Sequence, residues 1–470
     1  KGTDELRMTH DSVMLEACNA SFQVHFQVGP EEFARMYNIA LAVTAPVLAA
    51  AVNSPLMLGR RLWHETRIAV FQQSVDTRQT MPEVREVAPR VSFGRDWVHN
   101  SVLEIFQEDI SRFKVILGRE IDEDPFAALE AGRAPALKAL QLFNSTVYRW
   151  NRACYGVGPD GVAHLRIENR VLPAGPTILD EVSNAAFWFG LVSALVNEGS
   201  DIRDRMSFDA VRTNFVAAAR HGLDAQLEWM SGETYTAQDL ICGQLIPLAE
   251  IGLEAGGIDR ADIDRYLGTI RERVQRRRTG ARWLLGSLAS MDQDGTLEER
   301  MAALVAAMVD RQASGRPVHE WEEAKLGEGG GLKPSYMRVE QYMATDLRTV
   351  NEDEPIDLVA NLMDWNHVHH IPVEDNDHRL VGLVSYRPLL RFLASDEARR
   401  ADGPIATRRV MARDLITVGP GTGTLEAIDL MRKHGISCLP VVQDDRLIGL
   451  ITEHDFMRVA RVLLEEMLSE

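Results

Sequence analysis

Residues 343 to 452 carry one pattern written twice, and no other feature limits so strongly what this chain can fold into. Met343-Ala344-Thr345-Asp346-Leu347 returns as Met411-Ala412-Arg413-Asp414-Leu415, and Ile371-Pro372-Val373 returns as Leu439-Pro440-Val441. The offset is 68 residues (411 − 343 = 68; 440 − 372 = 68). After one deletion, Leu380-Val381-Gly382-Leu383-Val384-Ser385 matches Leu447-Ile448-Gly449-Leu450-Ile451-Thr452. A period of this length, seen twice, means two copies of one small domain packed together. Each copy reads as a short strand, a helix, a strand, a turn, a second strand and a closing helix. A duplicated module of this kind, joined to a longer chain, implies a regulator attached to an actuator.

Length gives about three domains for 470 residues. With 45% hydrophobic and 26% charged residues the composition is that of an ordinary globular protein. The net charge, 51 − 69 = −18, repels phosphate backbones and argues against a nucleic-acid partner. Cys18, Cys154, Cys242 and Cys438 are far apart and form no CxxC pair. Neither a zinc framework nor disulfides are expected, and a reducing, cytoplasmic location suits them. The longest apolar run, Ile39 to Val52, contains Pro46 and falls short of the roughly 20 residues that a membrane span needs. No membrane association and no secretory signal are expected.

Before the repeat, two segments alternate with the period of a half-buried strand. In residues 18–28, Phe22, Val24, Phe26 and Val28 face one way and Gln23, His25 and Gln27 the other. In residues 164–172, Leu165, Ile167 and Val171 alternate with Arg166, Glu168 and Arg170. Glu31 to Val52 and Asp180 to Val196 read as helices, and Ser207 to about Arg316 is helical almost throughout. The basic run Arg271 to Arg282 is either a solvated helix face or a phosphate-binding contribution. Gly327-Glu328-Gly329-Gly330-Gly331 reads as a flexible linker. The expected domains are therefore 1–200, a helical extension 201–326, a linker 327–336, and the two repeat copies 337–400 and 405–463.

The repeat, over residues 337–463, resembles the tandem cystathionine-β-synthase-type (CBS) domain. That resemblance implies a cleft for an adenine nucleotide (AMP, ADP or ATP) as effector, marked by Ser/Thr followed three residues later by Asp at the start of the closing helix. A carboxylate accepts from both ribose hydroxyls, and the helix N-terminus favours phosphate. The second copy has Thr452-Glu453-His454-Asp455, whereas the first has Ser385-Tyr386-Arg387-Pro388. One competent cleft is expected, with Thr452 and Asp455 contacting the ligand and Thr417 and Ile436 lining it. The alternative is a purely structural helix cap. His367, His369 and His370 cluster in sequence. Neighbours on a strand point to opposite faces, which favours packing over a metal site.

The segments Phe22-Gln23-Val24-His25-Phe26, Asn53-Ser54-Pro55, Glu65-Thr66-Arg67-Ile68, Asp76-Thr77-Arg78, Leu165-Arg166-Ile167-Glu168-Asn169-Arg170 and Phe187-Trp188-Phe189-Gly190 follow one another in an order that resembles the glutamate–cysteine ligase type 2 family. These are carboxylate–amine ligases related to glutamine synthetase. The implied fold is α+β: a glutamine-synthetase-like antiparallel sheet with a helical extension, then the βαββα repeat. The implied reaction uses ATP and Mg²⁺ to phosphorylate a carboxylate, most simply that of glutamate, and an amine then displaces phosphate. By the same resemblance Glu168 is a magnesium ligand and Arg170 contacts the γ-phosphate. His25 lies by the metal and nucleotide with Gln23 beside it, and Arg67 and Arg78 hold phosphate or substrate carboxylate. Read from the residues alone, the favoured reading of Glu168 and Arg170 is an ordinary exposed salt-bridging pair on one face of a sheet.

The family's opening strand with a Gly-x-Glu-x-Glu cluster has no counterpart before residue 18. The expectation is weak or no turnover by these 470 residues, and activity in a longer form. The alternative is a non-catalytic nucleotide sensor that keeps the ligase shape. Amino acids and ATP are the expected small-molecule partners, and a homodimer is the expected assembly.

Overall fold

The computed structural model describes the chain apart from residues 9–13, 76–88, 231, 292–296, 330–335, 346, 377–378, 401–402, 445 and 470. It divides into two compact units, Lys1–Gly331 and Leu332–Glu470. The glycine-rich stretch read as a linker opens with a short 3-10 turn, Leu326–Gly329, in which Glu328 pairs with Arg311 at 2.6 Å.

The first unit is built on a three-stranded antiparallel sheet. Its strands are β1 (Val24–Val28), β2 (Asn151–Val157) and β3 (Ala163–Asn169), in the order β1-β3-β2. Val24, Val28, Ala153 and Ile167 turn to the core, while His25, Arg152, Cys154 and Glu168 occupy the other face. Helix α1 (Phe33–Ala51) is apolar on all sides and almost wholly buried, as such a helix must be. It is tied to the sheet where β2 begins: the Tyr37 hydroxyl donates to the Asn151 carbonyl at 2.8 Å, and Asn151 Nδ2 donates to Thr44 Oγ1 at 2.9 Å.

Helix α2 (Ile178–Asn197) starts at Thr177, whose Oγ1 accepts from the Asp180 amide and donates to the Asp180 carboxylate. Helices α3 (Phe208–His221), α4 (Ile246–Ala255), α5 (Arg260–Gln275) and α6 (Gly280–Ser290) follow. One hydrophobic core runs from β1 through α1 and α2 to Ala281, so the helices after residue 200 share the core of the sheet. Where α2 crosses α4, a Cβ on Gly252 would overlap the Gly190 carbonyl, which fixes glycine at that crossing. A short hairpin, Gln226–Glu228 with Thr234–Thr236, interrupts the stretch read as helical. Helices α1 and α2 are both long and apolar enough to cross a membrane by length and composition, although the sequence reading found no such segment. In this fold both serve as core helices, 94% and 61% buried.

The second unit holds the repeat. The first copy has α7 (Ile356–Trp365), β4 (His370–Glu374), β5 (Leu380–Ser385) and α8 (Tyr386–Leu393). The second has α9 (Thr424–His434), β6 (Cys438–Gln443), β7 (Arg446–Thr452) and α10 (Glu453–Ser469). Val350 pairs in parallel with Val373, and Val418 with Val441, the same pairing 68 residues on (418 − 350 = 441 − 373 = 68). The copies also exchange segments: Ala344 pairs with Leu450 of the second copy, and Ala412 with Leu383 of the first. At each exchange a methionine lies over a glycine, Met411 on Gly382 and Met343 on Gly449. A Cβ at either glycine would collide with the thioether. Replacing Gly449 by valine should therefore destabilise the C-terminal unit by about 1–3 kcal/mol, the usual cost of overpacking. Calorimetric unfolding of the full chain should show this as a lowered transition for that unit, and an unchanged thermogram would refute the packing argument.

Candidate active site

The polar face of the sheet in the first unit gathers most of the charged residues singled out from sequence. In the antiparallel ladder His25 and Arg152 both stand opposite Glu168, on either side of it. Arg166 stands opposite Cys154 and Gln27. Alternation makes the cluster: every second residue of three neighbouring strands projects to this side.

Glu168 is the centre. Its side chain is 2% exposed, and a carboxylate so buried is tolerated only when paired. Arg152 donates to Glu168 Oε2 through Nε at 2.7 Å, and its terminal nitrogen lies 2.6 Å from the same oxygen. Arg170 Nε stands 3.5 Å from Oε1. The Cys154 thiol donates to Oε2 at 3.2 Å. Burial pushes the Cys154 thiol up to about 11. Burial also pulls Arg170 below the usual guanidinium range despite the attraction of Glu168, and partial desolvation of its ring pulls His25, an otherwise exposed residue, below the ordinary imidazole value. Arg152 is held above its ordinary value: burial opposes its charge, but Cys154 and Glu168 outweigh that.

Two guanidinium atoms on this face, Arg166 Nε and Arg170 Nη1, are buried and without a hydrogen-bond partner among the described residues. The Arg170 head lies over the rings of Phe71 and Tyr148. An anion reaching this face would find donors already stripped of water. His25, Cys154 and Glu168 each offer one donor atom within 4.8 Å of the others, the one cluster of potential metal ligands among the described residues.

The sequence points to Glu168, Arg170 and His25, which meet on this face, and Gln23 lies exposed one residue before β1. It did not find Arg152 or Cys154, because residues 151–157 (Asn-Arg-Ala-Cys-Tyr-Gly-Val) alternate between small and mixed side chains with little hydrophobic contrast. Arg78 lies outside the described residues. Arg67 is buried, donates to Glu65 Oε1 at 3.2 Å and bonds the Val171 carbonyl just past Arg170. Glu65 is wholly buried and also accepts from the Asn53 amide at 2.8 Å and the Ser54 hydroxyl at 2.5 Å. The Asn53-Ser54 turn, Glu65 and Arg67 thus form one chain of hydrogen bonds that ends beside Arg170.

The basic run 271–282 is not one solvated face. Arg273 is buried and pairs with Asp180 at 2.8 Å, with Asn184 Oδ1 at 2.5 Å. Arg277 and Arg282 share Asp224. Arg276, Arg277, Arg278 and Arg282 also line a cleft of about 280 Å³ with Trp283 and Glu323, none of them from the sheet.

In the second unit Asp455 is nearly buried and turned onto its own helix start. Its Oδ2 accepts from the Thr452 amide at 2.9 Å and the Thr452 hydroxyl at 2.8 Å, and its Oδ1 from Arg458 at 3.3 Å. Thr452 and Asp455 are thus bonded to each other at the start of the helix. Ile436 packs against the core of the second copy, and Thr417 is exposed. His369 contacts the Tyr386 ring, while His370 Nε2 lies 3.2 Å from Ser437 Oγ, so the adjacent histidines have different surroundings.

Residues 4–307 match the sequence model of glutamate-cysteine ligase family 2 (GCS2), and residues 339–395 and 407–461 match that of the CBS domain. The chain belongs to the glutamate–cysteine ligase family 2 and carries a CBS pair. Its curated relatives include the inosine-5'-monophosphate dehydrogenase of Methanocaldococcus jannaschii, 27% identical over 26% of this chain and 23% of that protein. The homoserine O-acetyltransferase of Methanohalobium evestigatum is 29% identical over 27% of this chain and 24% of that protein. The chain thus spans about a quarter of the length of these two relatives. A CBS domain-containing protein of Dictyostelium discoideum is 30% identical over 27% of this chain and 93% of that one. Among solved structures, the CBS domain pair of protein MJ0100 in complex with 5'-methylthioadenosine and S-adenosyl-L-methionine is 23% identical, covering 27% of this chain and 97% of that one, TM-score 0.25. The CBS-domain containing protein ATU1752 from Agrobacterium tumefaciens is 19% identical over 27% and 97%, TM-score 0.26.

Replacing Glu65 by alanine would leave the buried Arg67 guanidinium without its carboxylate. Breaking a buried pair from one side costs about 3–5 kcal/mol. A chemical-denaturation midpoint well below that of the parent chain is the expected result, and an unchanged midpoint would dismiss the chain of bonds as incidental.

Proposed function

We propose that the chain is an ATP-dependent carboxylate–amine ligase of the glutamate–cysteine type, whose activity responds to an adenine nucleotide held by the CBS pair. The observation that carries this reading is the sheet face on which a buried carboxylate is shared by guanidinium groups with unpartnered, desolvated donors.

The residues present fit a magnesium–nucleotide. Glu168 would supply an oxygen ligand, with His25 beside it on the adjoining strand. Bound there, the ion would neutralise charge on the triphosphate. Arg170 and Arg166 would take the phosphoryl oxygens and stabilise the charge that builds as the bond to the leaving group lengthens. Glutamate would present its γ-carboxylate in line, giving a γ-glutamyl phosphate and ADP. The amine, most simply that of cysteine, would then displace phosphate. Arg67 would act by fixing the strand end that carries Arg170, and Arg78 would serve the substrate carboxylate. Gln23 would border the nucleotide.

At the CBS pair, Asp455 would exchange its bond to the Thr452 hydroxyl for the ribose hydroxyls, with Thr417 and Ile436 alongside. A ligand alters activity only through different affinities for two arrangements. We place the enzyme in the cytoplasm, as a homodimer.

The test is a screen of amino acids with ATP and Mg²⁺, reading ADP and phosphate release, on the 470-residue chain and on any longer form. Release that requires both glutamate and an amine supports the ligase. Nucleotide binding with no amino-acid-dependent release in any form supports the non-catalytic sensor instead. In the same assays Asp455→Ala should weaken adenosine-ligand binding while leaving basal turnover largely unchanged.

A further inference from the structure

We propose that His25, Cys154 and Glu168 form a binding site for a thiophilic divalent cation of the zinc class, which competes with the magnesium–nucleotide and so inhibits the enzyme. The inhibitory part rests on the ligase reading, whereas the binding part stands on geometry alone.

An imidazole nitrogen, a thiol sulfur and a carboxylate oxygen converge within 4.8 Å of one another. Ligands about 2.0–2.3 Å from a tetrahedral ion lie roughly 3.5 Å apart, so a contraction of about an ångström completes the shell. The three come from three adjacent strands whose register places them side by side. Cys154 and Glu168 are buried on their strands, while His25 is exposed, which leaves the ion a path in from solvent. Three protein ligands would leave the fourth position to water.

The donor set decides which ion is preferred. Magnesium is hard and binds oxygen, so Cys154 adds nothing for it. Zinc and cobalt accept nitrogen, oxygen and thiolate together. On binding, the Cys154 S–H bond breaks, sulfur keeps the electron pair and donates it to the ion, and the proton leaves to solvent. The hydrogen bond now made to Glu168 Oε2 is replaced by the shared ion. Arg152, which is partly exposed, would release that oxygen. The thiolate supplies a negative charge that offsets the nearby Arg166 and Arg170. Because Glu168 serves both ions, occupation by one excludes the other.

Cobalt(II) is the probe, titrated into the full chain without nucleotide. A thiolate-to-cobalt charge-transfer band in the near ultraviolet should saturate at one ion per chain and be displaced by zinc. It should vanish in Cys154→Ser and persist in Cys18→Ser and Cys438→Ser. In His25→Gln, altered at an exposed position that folding tolerates, affinity should fall by at least about tenfold, since loss of even an outer-shell partner costs about 10–100-fold. A missing band, or one that survives in Cys154→Ser, overturns the metal site and leaves the ligase reading intact. If one equivalent of cobalt, bound beforehand, leaves the affinity for Mg²⁺ with a non-hydrolysable ATP analogue unchanged, the competition is overturned and the metal site stands.

Discussion

The first unit depends on the burial of Glu168 among arginines. A carboxylate removed from water costs several kcal/mol unless its lone pairs are filled. Here Arg152 and Cys154 donate to one carboxylate oxygen and Arg170 stands 3.5 Å from the other, each from a position that strand alternation brings to the same side. The arrangement holds more positive than negative charge, since Arg152, Arg166 and Arg170 face a single carboxylate. An excess of desolvated guanidinium is unfavourable in an empty site and favourable once an anion arrives. That imbalance distinguishes this face from a structural ion pair such as Arg273 with Asp180, in which the buried charges are matched.

The scaffold explains how such an imbalance is held. Helix α1, buried on all sides, is bonded to the start of β2 through Tyr37 and Asn151. The turn at Asn53-Ser54 is bonded through Glu65 to Arg67, and Arg67 to the carbonyl after Arg170. The strands that carry the charged face are thereby anchored at several points, and binding energy need not be spent on ordering them.

Legibility in the sequence followed hydrophobic contrast. The repeat was plain because its pattern recurs at a fixed offset, and even the cross-pairing of Ala344 with Leu450 and Ala412 with Leu383 follows from equivalent positions. Strands β1 and β3 were visible from strict alternation, which puts Glu168 and Arg170 on one side, whereas the roles of these two and of His25 came only with the family resemblance. Strand β2 was hidden because its inward positions are Asn151, Ala153 and Tyr155, too mixed to mark a face, so Arg152 and Cys154 were missed. Arg67 was found as a charged residue near the motif, but its commitment to Glu65 and Val171 is a tertiary fact that spacing cannot carry. Arg273 was hidden within a basic run that looked solvated. The cap made by Asp455 on Thr452 illustrates the reverse limit: one residue pair suits both a helix start and a ribose, and the sequence pattern is the same for either.

The central claim is that the charged sheet face of the first unit binds a nucleoside triphosphate separately from the CBS pair. Calorimetric titration of a non-hydrolysable ATP analogue with Mg²⁺ into the full chain tests it most directly. The account predicts a binding event that survives Asp455→Ala and is lost in Arg170→Gln. Binding that disappears entirely with Asp455→Ala, or that Arg170→Gln leaves untouched, would contradict it.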